Sequence, residues 1–150
     1  MSSQITDLLS TADAIAAHLS GLPELDGVTL LVDRQKDLEN EIAQGVAKAG
    51  GAVLLIEPTS GRASDQTAKT LQFDNRYTLS LWSLPILRQE DAYTAAQRVP
   101  AIMAAVQHFK PAPNPFPTHR LEITGWQIEP DEQFLIYAIT AELTEVYQGA

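Results

Sequence analysis

The chain has 150 residues, with 10 basic and 19 acidic side chains, a formal charge of −9, 45% hydrophobic residues and no cysteine. One domain is the default at this length, since a single core can bury roughly 68–70% of the surface exposed by the unfolded chain, and the missing cysteines exclude disulfides, thiolate metal sites and cysteine nucleophiles. The acidic balance opposes binding to nucleic-acid phosphates or to an anionic membrane, because no five-residue window holds more than two basic side chains, Arg34 with Lys36 being the densest.

In chain order, Ile5, Leu8, Leu9, Ala12, Ile15, Ala16 and Leu19 fall on one helical face, with Ser3 as cap and Gly21 and Pro23 as the stop. Val28–Val32 is short, β-branched and apolar, and predicts a largely buried strand. Asp37 then caps a second helix with Leu38, Ile42, Val46 and Ala49 as its stripe. After Gly50-Gly51 comes a second apolar strand, Ala52–Ile56, ended by Pro58. The helix between these strands permits a parallel β-α-β unit, and an antiparallel pairing stays open.

Residues 59–70 carry no large apolar side chain, so burial cannot offset their ordering entropy, and a flexible loop is expected there. Beyond it the period becomes two. Leu71, Phe73, Tyr77, Leu79 and Leu81 alternate with Gln72, Asp74, Arg76, Thr78 and Ser80, which predicts a long strand with one wet face. A third helix, capped by Asp91, carries its apolar stripe from Ala92 to Phe109 straight through Pro100, where a kink is expected. Pro111, Pro113, Pro115 and Pro117 make residues 111–118 a stiff connector. Two final strands, 120–129 and 133–147, are joined at Pro130-Asp131-Glu132. The apolar phase of the first shifts across Gly125, which predicts a bulge. The sum is a single α+β domain, α-β-α-β-loop-β-α-β-β, with three helices and a mixed or antiparallel sheet of about five strands, and without repeats or heptads.

Motifs for chemistry are sparse. His18, His108 and His119 show no i,i+4 pairing, and the first two sit at helix C-termini, where they complement the dipole. The stretch Glu57–Arg62 with Lys69-Thr70 follows a strand as a phosphate loop would, but its only glycine precedes the lysine by eight residues and a strand follows. The carboxylate pairs Glu39/Glu41 and Asp131/Glu132 occupy a helical first turn and a hairpin turn, ordinary solvated positions. No serine has a nucleophile-elbow setting. Trp82 falls in the wet-face register and Trp126 at the phase shift. They are either core under helices on both faces or, for at least one of them, an interface anchor. No apolar run reaches membrane length and the first residues lack a basic-then-apolar pattern, so a soluble intracellular protein without signal peptide or membrane span is expected.

The strand Phe73-Asp74-Asn75-Arg76-Tyr77-Thr78-Leu79-Ser80-Leu81-Trp82, the Ala-rich helix from Asp91 to Phe109, and the closing pieces Leu121–Trp126 and Phe134–Thr140 together resemble the tail terminator, or tail completion, proteins of long-tailed phages and prophages. Related tail-assembly proteins of Mu-like phages share the pattern. The resemblance implies a structural subunit, not an enzyme, without cofactor or metal. It implies assembly into a ring, commonly a hexamer, which stops growth of the tail tube in the bacterial cytoplasm and joins it to the neck in the virion. Expected partners are copies of the chain, the tail tube protein and a neck or connector protein. Within that reading Ser60, Gly61, Arg62, Asp65, Lys69, Arg76 and Trp82 are the expected contact surface. The alternatives are another head–tail connector or neck component and, more remotely, a small ligand-binding domain or enzyme.

Overall fold

Alternating apolar strands with one helical crossover generate a five-stranded mixed sheet. The computed structural model describes residues 8–32, 38–47, 52–66, 70–83, 94–111 and 120–148. Its elements are α1 (Leu8–Leu19), β1 (Thr29–Val32), α2 (Leu38–Ala47), β2 (Ala52–Gln66), β3 (Thr70–Ser83), α3 (Ala95–Val106), β4 (Glu122–Glu129) and β5 (Leu135–Gln148). The strand order is β1-β2-β3-β5-β4. β1 runs parallel to β2, as the crossover through α2 requires, and every other pairing is antiparallel. The α+β class with three helices and five strands holds.

The two faces of the sheet are covered unequally. On one face Leu54, Ile56, Tyr77, Leu79, Leu81, Ile139, Ala141 and Leu143 meet Ala12, Ile15 and Leu19 of α1 and Ala95, Val99, Ile102 and Val106 of α3. Each fully buried Leu or Ile contributes roughly 1.5–3 kcal/mol, so this larger cluster carries most of the stability. On the other face, among the described residues, α2 covers Val53 and Leu55 through Ile42 and Val46, with Leu31, Trp82 and Phe134 packed at the margin. Gly45 lets α2 lie close, because a Cβ there would collide with Val53 Cγ2. On β5 this second face also carries buried Ile136, Ala138 and Val146, and between them the polar Thr140, Glu142 and Thr144.

Two side chains bolt helices together. His18 stacks on Phe109 with ring centroids 3.9 Å apart, and its Nε2–H donates to the Ala105 carbonyl at 2.9 Å, tying α1 to α3. Buried Arg98 of α3 donates from Nε to the Glu24 carbonyl at 2.9 Å, holding the 3-10 turn Pro23–Leu25.

Several local expectations are corrected. Residues 59–66 and Thr70 are strand rather than flexible loop, and 67–69 lie outside the described residues. Side chains 59–64 are all exposed, so order comes from the hydrogen-bonded ladder with β3, itself anchored on its far side by β5. Pro58 does not end the strand: among the described residues β1 reaches only to Ile56, and past it a proline on the outer edge costs no ladder bond to β1. β1 is half-buried rather than largely buried, because it is itself an edge. The wet face of β3 is covered over Ser80 and Trp82. Helix α3 begins after Thr94, whose capping box with Gln97 does the work assigned to Asp91, and Asp91 itself lies outside the described residues. The helix does pass through Pro100, and the register shift between Ile123 and Gly125 is the expected bulge. The connector 111–118 falls outside the described residues except for buried Pro111.

Candidate functional site

A polar cluster sits where two core-phase positions of the sheet are not apolar. Asn75 follows Phe73 and precedes Tyr77 on the helix-covered face of β3, and Glu145 follows Leu143 on the same face of β5. Glu145 is fully buried. Its Oε1 accepts from the Tyr77 hydroxyl and from Asn75 Nδ2 at 3.1 Å, and its Oε2 accepts from Thr11 Oγ1 at 2.7 Å. Asn75 gives its other amide hydrogen to Tyr147 Oη at 2.7 Å. Burial, and then the adjacent Glu145 carboxylate, push the Tyr77 phenol far above the ordinary tyrosine range, so it remains a donor.

This network backs a recess of about 440 Å³ lined by Leu8, Pro58, Phe73, Asn75, Tyr147 and the backbone around Gly61. Its walls are mainly apolar. Glu145 stands behind its wall, hydrogen-bonded to the lining residue Asn75. With both amide hydrogens of Asn75 committed, its Oδ1 is turned toward Gly61, where an added Cβ would collide with it. Glycine at 61 is therefore required by this close approach.

On the opposite face of the same hairpin lies a smaller recess of about 210 Å³, lined by Ser60, Gly61, Arg62, Asp74, Arg76 and Glu142. Arg76 Nη2 pairs with Glu142 Oε2 at 3.0 Å, and Thr144 Oγ1 donates to Asp74 Oδ1 at 2.7 Å. Glu142 stands between Arg76 on β3 and Glu122 on β4, so the arginine offsets a like-charge cross-strand pair. The structure thus brings Ser60, Gly61, Arg62 and Arg76 together. Asp65 is opposite Gln72 in the ladder, and Lys69 lies outside the described residues. Trp82 does not join them: it is six residues along β3 from Arg76, about 20 Å at strand rise, and meets Phe134 edge-on at 5.6 Å. The exposed tryptophan is Trp126, 53% accessible, beside Ile128 at 55%.

No family model and no curated protein matches the chain. Among the described residues no three His, Asp or Glu side chains converge as a metal site, and no helix is long and apolar enough to cross a membrane. The residues that sequence reading passed over, Asn75 and Glu145, did leave a signal: each interrupts an apolar period-two series, Asn75 between Phe73 and Tyr77 and Glu145 between Leu143 and Tyr147.

Proposed function

We propose that this chain is a structural subunit of a phage or prophage tail, a terminator that assembles head to tail into a ring, caps the tail tube and joins it to the neck. The observation that supports this reading most directly is the pair of unlike free edges on one sheet. Among the described residues β1 covers β2 only from Val53 to Ile56, leaving the outer side of β2 from Pro58 to Gln66 without a strand, while β4 ends the sheet at the other side. Two different edges that meet between copies make a heterologous contact, which closes into a ring or runs on as a filament. The reading draws further support from the resemblance of the long strand over Phe73–Trp82, the Ala-rich helix and the closing hairpin, and the excess of acid keeps unassembled subunits soluble.

Native mass spectrometry of the full chain, alone and with tail tubes, tests the assembly: a discrete ring is expected. Deleting the gene in its phage tests the role. Loss of a terminator gives tails of abnormal length; correctly sized but unattached tails would assign the chain to another neck component.

A further inference from the structure

We infer that the exposed Trp126, with Ile128 beside it, is a knob that seats in the recess lined by Leu8, Pro58, Phe73, Asn75 and Tyr147 of a second copy of this chain. The inference rests on the ring reading and specifies its contact.

Knob and socket share a face but not an edge. Trp126 pairs with Ile139, which pairs with Leu79 of β3, and Phe73, Asn75 and Leu79 alternate onto the same side of the sheet. Along β5 the partners of Phe73 and Trp126 are Glu145 and Ile139, six residues or about 20 Å apart at strand rise. A subunit therefore cannot fill its own socket, whereas a neighbour placed edge to edge can.

The chemistry matches as well. Trp126 is half-exposed on the edge strand β4, with the Tyr137 ring tilted against it, ring centroids 6.0 Å apart. An aromatic of this size buries roughly 150–250 Å² and requires an acceptor for its N–H when desolvated. A recess of about 440 Å³ with apolar walls takes an indole. At its wall stands Asn75 Oδ1, an acceptor whose orientation is fixed because the buried Glu145 carboxylate demands the amide hydrogens. Charge agrees too: on the opposite face of the sheet β4 carries Glu122 and Glu129 and no basic residue, and β2, at the other edge, carries exposed Arg62.

The cysteine-free chain permits a direct test. In the double variant Trp126→Cys/Phe73→Cys a bond within one subunit is barred by the roughly 7 Å limit on Cα separation. Mild oxidation is expected to give a ladder of disulfide-linked oligomers on a denaturing gel that ends at the ring, with each single variant giving none. Circular dichroism confirms that the variants fold. Independently, Trp126→Ala, a surface change, is expected to weaken association by roughly 30-fold or more. A ladder that stops at dimers, or a Trp126→Ala chain that assembles like the wild type, overturns the knob and socket while leaving the ring. A wild-type chain that stays monomeric with and without tail tubes overturns both.

Discussion

The hydroxyl of Tyr77 donates to the carboxylate of Glu145 across the β3–β5 ladder, joining residues 68 apart in sequence inside the helix-covered face of the sheet. Thr11 and Asn75 complete the shell. Removing the carboxylate strands three buried donors. Glu145→Ala is therefore expected to cost about 3 kcal/mol or more in urea unfolding, with Glu145→Gln costing less because it keeps one acceptor oxygen.

The same pair sets an alkaline limit. The folded-state pKa of Tyr77 lies above the unfolded value of about 10, so above that pH the unfolded chain binds fewer protons than the folded one. Stability is intact below about pH 10 and falls as pH rises past it. Urea midpoints measured at pH 9 and pH 11 should drop for the wild type and drop less for Tyr77→Phe.

Gly61→Ala places a methyl group against Asn75 Oδ1, which two hydrogen bonds hold in place. Overpacking of this kind costs about 1–3 kcal/mol. The double variant Gly61→Ala/Asn75→Ala has no such collision, so the two losses should be less than additive in a thermodynamic cycle.

Arg76 and Glu142 pair at the surface, with 53% and 37% of their side chains exposed. Such a pair contributes about 0–1 kcal/mol. Arg76→Ala should lower stability by that small amount at low salt, and the difference should shrink as salt screens both the pair and the Glu142–Glu122 repulsion.

Arg98 is 2% exposed, and its guanidinium caps the Glu24 carbonyl. Arg98→Met retains the stem yet leaves that carbonyl without its charged donor. Thermal melts should show a loss of about 2 kcal/mol.

The apolar stripes of α1 and α3 and the period of two in β3 and β5 were legible in the sequence because each has a buried partner whose demand shows as a repeat. The edges were not. Residues 59–66 read as loop because their order comes from backbone pairing to β3, which leaves no trace in side-chain type. The site was legible in part: Ser60, Arg62 and Arg76 gather because Arg62 lies opposite Asp74 and Ser60 opposite Arg76. Trp82 followed the wet-face period correctly, but only the placement of α2 and Phe134 decides that this end of the face is covered. Asn75 and Glu145 were visible only as interruptions, and that they face one another depends on a register no local pattern encodes.

The fifth strand in chain order lies between β3 and β4 rather than at a margin. During synthesis, then, the hairpin of β2 and β3 leaves the ribosome with one flank open, and Tyr77, Asn75 and Thr11 await an acceptor until Glu145 is translated. Closure waits on long-range pairing, so folding should be slow for a domain of this size. A holdase that shields the open flank of β3 would raise the yield of native subunit.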